Sequence, residues 1–195
     1  LIALTEGKAD LAGCHLWDAE TDTYNRPFVR RLLPGRRVAL LTLAHRRLGL
    51  IVPPGNPHGL AALPDLARPG LRFINRQAGA GTRVWLDAQL GRLGLDPARI
   101  QGYEDRVATH EEVARAVAEG RADAGLGVET AALSYGLGFI GLTTERYDLA
   151  IPGEVWDSVP AQRLAAWLVT DEAREAIAAL GGYETGATGC VEWVE

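Results

Sequence analysis

The chain has 195 residues, 47% of them apolar and 23% charged, with a formal net charge of -5 at pH 7. That length suits one compact domain or two small lobes, and apolar content at the globular average excludes a disordered or collagenous chain. No run nears the ~20 apolar residues of a bilayer span, and an acidic balance without a Lys/Arg block excludes direct nucleic-acid contact by this segment.

Lys8 is the only lysine among 20 basic residues, methionine is absent, and Asn and Gln together number seven. Such a bias suits a GC-rich source. Cys14 and Cys190 stand alone, with neither the spacing of a zinc site nor the density of a disulfide scaffold, which points to a reduced, cytoplasmic protein. The chain opens at Leu1 without Met and reads there like the end of a helix, so a preceding segment is expected.

In chain order, Leu1 to Glu6 followed by Gly7 fits a last helical turn with a glycine stop, and Ala9 to Gly13 is a short buried strand. Val38 to Leu43 and Gly49 to Val52 read as two strands, and Pro53-Pro54-Gly55-Asn56-Pro57 as a change of direction. Leu71 to Asn75 makes a further strand. Thr82 to Leu93 carries Leu86, Leu90 and Leu93 at helical spacing and ends at Gly94. Thr109-His110-Glu111-Glu112 is a capping box for a helix that stops at Gly120. Two helices close the chain, about Pro160 to Val169 and Asp171 to Leu180. The order Glu119-Gly120-Arg121-Ala122-Asp123-Ala124-Gly125 echoes Glu6-Gly7-Lys8-Ala9-Asp10-Leu11-Ala12, which suggests two similar lobes.

Alternation of strand and helix implies an α/β fold with a mostly parallel sheet, whose ligands bind beyond the carboxyl ends of the strands. Three loops follow strands there: Cys14 to Asn25, Asn75 to Thr82, and Gly125 to Thr130. The segment Asn75-Arg76-Gln77-Ala78-Gly79-Ala80-Gly81-Thr82-Arg83 is the sharpest. Glycines at a helix start crowd N–H groups into an anion cradle, Thr82 adds a hydroxyl and a helix cap, and Arg76 and Arg83 add charge and directed donors. The alternative is an ordinary connection with a Thr cap and two solvated arginines. It matches neither a P-loop, since Thr82-Arg83 follows Gly81, nor a dinucleotide fingerprint, since Val84 stands where glycine or alanine is required.

His15 follows the first strand, with Trp17, Asp18, Tyr24 and Asn25 close behind. It reads either as a ligand donor or as a structural hydrogen bonder. His110, in the first turn of a capped helix, divides in the same way. Glu129, after the echoed strand, is an acid/base or ligand candidate set against a surface carboxylate. The histidines are too scattered for a metal site, and no nucleophile elbow surrounds Ser134 or Ser158. No cofactor is implied.

On Gly7-Lys8-Ala9-Asp10-Leu11-Ala12-Gly13-Cys14-His15-Leu16, Asn56-Pro57, Asn75-Arg76-Gln77 with Gly79-Ala80-Gly81-Thr82-Arg83, Thr109-His110 and Gly120 to Gly127, the chain resembles a type II periplasmic-binding-protein-like domain. It is similar to the intracellular kind joined to helix-turn-helix regulators or molybdopterin-biosynthesis proteins. The resemblance implies two α/β lobes, each a mostly parallel sheet flanked by helices, joined by two hinge crossings with the ligand between them. It places one lobe at 1–54 plus 148–195 and the other at 55–147, with crossings near Val52-Pro53 and Tyr147-Asp148. It implies a non-catalytic sensor of a small oxyanion, molybdate or tungstate foremost, linked to molybdenum-cofactor metabolism or transcription. A DNA-binding or molybdopterin-biosynthesis domain outside this chain is the expected partner. The ligand-binding candidates are His15, Asn75, Arg76, Gln77, Gly79, Gly81, Thr82, Arg83, His110 and Glu129. Two alternatives stand beside this: a sensor of a small organic acid, and an enzyme domain handling a molybdopterin precursor.

Overall fold

A computed structural model describes all residues, Leu1–Glu195. Its elements are α1 (Ile2–Thr5), β1 (Ala12–Cys14), β2 (Trp17–Asp18), β3 (Thr23–Tyr24), α2 (Arg26–Leu32), β4 (Val38–Val52), β5 (Phe73–Arg76), α3 (Gly81–Arg92), β6 (Arg106–Val107) and α4 (His110–Ala118). After these come β7 (Ala124–Val128), α5 (Glu129–Ser134), β8 (Gly138–Pro152), α6 (Gly153–Trp156), α7 (Val159–Leu168), α8 (Asp171–Ala178), β9 (Tyr183–Glu184) and β10 (Val191–Val194). Two single-turn 3-10 segments lie at Leu63–Ala67 and Pro97–Arg99. The echoed segments do form the same local unit twice, because Gly7 and Gly120 stop α1 and α4 at φ +66° and +68°, a region that glycine enters without Cβ strain.

The chain divides into two compact units, 1–46 with 145–195 and 47–144. The crossings therefore lie at Arg46/Arg47 and Thr144/Glu145, inside β4 and β8, rather than near Val52-Pro53 and Tyr147-Asp148. The sequence hides them because β4 is one strand of 15 residues where two were expected. Its polar stretch at His45 and Arg46 breaks the apolar pattern but stays in the ladder by pairing with Glu184 and Tyr183 of β9.

In the first unit, alternation along β4 sends Val38 and Leu40 to one face and Ala39 and Leu41 to the other. The first pair packs with Leu4 from α1, Val29 from α2 and Leu33 just after α2, and the second with Ala161 and Leu168 from α7. Both faces of the sheet are covered, which explains an uninterrupted apolar run. Its strand pairs are antiparallel: β1 with β8 (Cys14↔Asp148), β10 with β4 (Val194↔Val38) and β9 with β4. This corrects the expectation of a mostly parallel sheet here. Parallel pairing follows from a crossover helix between neighbouring strands, whereas β1 is followed by the β2–β3 hairpin, and β4 pairs with strands from the end of the chain.

In the second unit the expected order holds. β5 pairs in parallel with β6 (Asn75↔Arg106) and with β7 (Phe73↔Ala124), while β4 flanks β7 antiparallel (Leu48↔Val128). The α/β class thus stands, with parallel strands concentrated in this unit. Parallel direction brings the carboxyl ends of β5, β6 and β7 to one edge, where the segments 77–80, 108–109 and 128–129 begin.

Candidate functional site

At that edge the last residue but one of β5 is Asn75, fully buried, whose amide works as scaffold. Its Oδ1 accepts from the Arg76 N–H at 2.9 Å and its Nδ2 donates to the Tyr103 carbonyl at 3.1 Å. The Gln77 N–H then donates to the Val107 carbonyl at 3.0 Å, and the Ala80 N–H closes a turn on the Gln77 carbonyl at 3.2 Å. Gly79 stands at φ +83°, with open space around it, so conformation rather than crowding calls for glycine. This turn delivers the chain into α3.

Helix α3 begins at Gly81 with Ala80 in the capping position, and no side chain caps it. Thr82 therefore is not the cap the sequence suggested. It lies one residue inside the helix, 1% exposed, and its Oγ1 has no hydrogen-bond partner. Burying a hydroxyl without a partner costs about 1–3 kcal/mol, and the first-turn N–H groups beside it lack intrahelical acceptors. α4 offers a contrast on the same edge. There Thr109 Oγ1 accepts from the Glu112 N–H at 3.1 Å, and the Glu112 carboxylate accepts from the N–H groups of Ala108 and Thr109 at 2.8 and 3.0 Å. Those two N–H groups hold the Glu112 carboxyl below its usual range. An acidic side chain thus already occupies the start of α4, while the start of α3 carries none.

The two arginines of the loop separate. Arg83 is buried, its Nε donating to Asp87 at 2.7 Å and its guanidinium stacked 3.9 Å from the Tyr103 ring centroid. Burial works against its charge, but the bonds to Asp87 and Tyr103 more than offset this. The Tyr103 hydroxyl donates to the same Asp87 oxygen at 2.6 Å. In this arrangement the Arg83 side chain braces α3 against Tyr103. Arg76 ties two edge loops together, with Nη2 donating to the Ala108 carbonyl at 2.7 Å. His110, the first residue of α4, lies against β7, its Nδ1 3.5 Å from where a Cβ on Gly127 would stand. Glu129 opens α5 and accepts from Arg47 Nη1 at 2.8 Å. The Gln77 side chain is exposed.

The first unit holds His15 immediately after β1. Its ring stacks on Tyr147 at 5.5 Å and 17°, and its Nδ1 lies 3.6 Å from Oε2 of Glu145, an ion-pair separation rather than a hydrogen bond. Glu145 is 2% exposed and also pairs with the Nε of Arg46. Burial pushes its carboxyl up, yet His15 and Arg46 together hold it below the usual carboxylate range. Burial, with Glu145 adding to it, raises the Tyr24 phenol.

Sequence reasoning passed over the residue that fixes this loop. Asn25 is fully buried at φ +61°. It donates its N–H to the Leu16 carbonyl at 2.8 Å, accepts the Leu16 N–H on Oδ1 at 2.7 Å, and donates Nδ2 to Asp148 at 2.8 Å. The signal was present in the pair Tyr24-Asn25 before a Pro-containing helix, since asparagine tolerates the left-handed region better than other non-glycine residues. Burial, with Asp148 adding to it, pushes the Cys14 thiol up to about 12, so this sulfur is a packing atom rather than a nucleophile. No group of three or more His, Cys, Asp and Glu residues is placed to hold a metal ion. No helix is long and apolar enough to cross a membrane.

With this geometry in place, comparisons place the chain in a family. A family model described as the PBP superfamily domain matches residues 1–169. The uncharacterized protein YvgK of Bacillus subtilis (strain 168) is 40% identical over 191 residues, 98% of this chain and 61% of that protein. The chain thus spans less than two thirds of this relative's length. The regulatory domain of Synechocystis PCC6803 CcmR in complex with 2-PG superposes with a TM-score of 0.62 at 16% identity, over 85% of this chain and 74% of that one. L-phospholactate-bound PEB3 gives a TM-score of 0.57 at 23% identity, over 74% and 68% of the two chains. The substrate binding domain assigned to a molybdenum ABC transporter from Clostridium difficile gives 0.56 at 16%, over 74% and 66%. At these identities the structures speak for fold. The chain belongs to the PBP superfamily as a type II periplasmic-binding-protein-like domain, among neighbours that are binding or sensor domains.

Proposed function

We propose that the second unit binds a small oxyanion at the carboxyl edge of β5, β6 and β7, held by the Thr82 hydroxyl and the first-turn N–H groups of α3. The observation that carries this reading is the buried Thr82 Oγ1 without a partner beside an uncapped helix start. A helix N-terminus favours negative charge, and a hydroxyl left unsatisfied in the protein is satisfied by an anion's oxygen. Arg76, at the same edge, supplies a positive charge, and His110 a further ring nitrogen. The role is binding rather than turnover, in keeping with neighbours that are binding and sensor domains.

Molybdate or tungstate is the favoured ligand, supported by the likeness to the molybdenum transporter's domain and by the resemblance of the glycine-threonine loop to oxyanion binders. Through that ligand the domain reports oxyanion supply to a partner that regulates transcription or builds the molybdenum cofactor. A second reading, a phosphorylated small organic acid, is favoured by the molecules bound in the CcmR and PEB3 structures. A calorimetric panel of molybdate, tungstate, sulfate, phosphate, 2-PG and L-phospholactate decides between them. Molybdate or tungstate binding tightest supports the first reading, a phosphorylated acid the second, and no binding by any of the six removes both.

A further inference from the structure

In the first unit β1 stands at the end of the strand order and pairs with β8 alone, so its other edge is open. We infer that this edge is a docking site for an extended segment from outside residues 1–195, which runs parallel to β1 and reads arginine, large apolar residue, small residue. The inference does not rest on the anion reading of the second unit.

The echo between the two units carries it. Setting Glu6-Gly7 on Glu119-Gly120 aligns Asp10, Leu11, Ala12, Gly13 and Cys14 with Asp123, Ala124, Gly125, Leu126 and Gly127. The ladders obey that alignment. Ala12, Gly13 and Cys14 oppose Ala150, Leu149 and Asp148 antiparallel, and Gly125, Leu126 and Gly127 oppose Ile51, Leu50 and Gly49 in the same way. On its other side β7 takes β5 in parallel, with Phe73 against Ala124 and Ile74 against Gly125. β1 has no strand there, and the unpaired N–H and C=O groups of an edge are a template for one.

The aspartate ahead of each strand sets the charge of the occupant. The Asp123 carboxylate accepts from the Arg72 N–H at 2.9 Å, from its Nε at 3.1 Å and from its Nη2 at 2.6 Å. The N–H groups of Asp123 and Ala124 donate to the Arg72 carbonyl at 2.8 and 3.2 Å. Asp10 holds the same place before β1, yet it is exposed and its carboxylate bonds to no residue of the chain. The N–H groups of Asp10 and Leu11 likewise have no acceptor within the chain. An arginine of an incoming strand satisfies all of these groups together, by charge-assisted bonds to the carboxylate.

The next two places follow from the space beside β1. Leu11 is 40% exposed and lines a hollow of about 530 Å³ with Val155, Pro160, Ala161 and Leu164. Residues paired across neighbouring strands point to one face, so the side chain opposite Leu11, where the second unit has Phe73, enters this hollow. Glu154 at its rim is already paired with Arg36. The following residue is small. A Cβ on Gly125 would stand 2.7 Å from Ile74 Cγ2, so glycine admits the isoleucine there, whereas β1 carries Ala12 at that place.

The probe is a free peptide of residues 70–77 with Ile74→Ala, acetylated, amidated and fluorescently labelled, titrated into the full chain and read by anisotropy. Saturable binding is expected, and hydrogen exchange of the Asp10 and Leu11 amides slows. Asp10→Asn weakens binding about tenfold or more, because a bond to a charged group is lost. Asp10→Arg abolishes it, and a peptide with Arg72→Glu restores it to that variant. The peptide that keeps Ile74 binds more weakly than the Ile74→Ala form. Asp10 is exposed, so both variants keep the wild-type circular dichroism, and peptide binding is read without any anion, so failure of the oxyanion panel leaves this test intact. Absence of binding to the wild-type chain overturns the proposal, as does equal affinity in folded Asp10→Asn or slowed exchange confined to other strands. A dimer in sedimentation that the peptide does not dissociate makes a second copy the occupant, and overturns it likewise.

Discussion

Thr82 and Glu145 are buried polar residues with opposite accounts, and each yields a measurement. The Thr82 hydroxyl lacks a partner in the unliganded chain, so Thr82→Ala leaves urea stability unchanged or raises it slightly. The same change weakens anion binding, because a hydrogen bond to a charged group contributes about 1.5–3 kcal/mol, or about ten- to a hundredfold in affinity. Calorimetry beside urea denaturation reads both, and unchanged affinity for a bound oxyanion removes the hydroxyl from the site. Arg83→Lys acts the other way: it loses the Nε bond to Asp87 and the stacking on Tyr103, so stability falls by about 1–2 kcal/mol. For Glu145 the folded-state pKa lies below the unfolded value of about 4.3, so its contribution is complete above that pH and is lost as pH falls through the folded value. In urea titrations from neutral pH to about pH 3, Glu145→Gln therefore shows a shallower fall than the wild-type chain. It is also less stable at neutral pH by about 3 kcal/mol, because Arg46 is left buried without its counter-charge.

At the level of elements, the parts legible in the sequence are those whose signals are local. The capping box at Thr109 is realised in both of its bonds, and Thr109→Ala costs about 1 kcal/mol, read as a lower urea midpoint at constant slope. The glycine stops at Gly7 and Gly120 were equally visible, because a positive φ is a one-residue requirement. β4 was not. Its apolar pattern lapses over His45, Arg46 and Arg47, and the first two are held extended by pairing with β9, a strand almost 140 positions away in the chain. The start of α3 was half legible. Gly79-Ala80-Gly81-Thr82 announced a loop opening a helix, but whether Thr82 caps it or faces inward depends on a one-residue register that propensity does not resolve.

Over the whole molecule, the division into units 1–46 with 145–195 and 47–144 predicts a local response to ligand. An anion held at the α3 edge stabilises by about 2.7 kcal/mol at a hundredfold excess over its dissociation constant. Hydrogen exchange then slows chiefly in β5, the 77–82 segment and the first turn of α3, and far less in β10 and α8. Uniform slowing across both units, or slowing confined to the His15 loop, moves the site away from Thr82.

By itself the sequence determined the α/β class, most helix boundaries to within one or two residues, the family resemblance and the glycine-threonine loop, because each rests on residues close together along the chain. Only the tertiary structure decided which candidates stand together and what each one does. Asn75 and Arg83 both bear on Tyr103, from a loop that meets them only on folding, whereas Asp87 lies one turn from Arg83 in the same helix. Thr82 is the converse case, since its hydroxyl is buried without a hydrogen-bond partner. The antiparallel pairing of the first unit and the bond from Asn25 to Asp148 were likewise invisible. Both depend on Asp148 and its strand returning to β1 from more than a hundred residues away, and no local pattern encodes a long-range pairing.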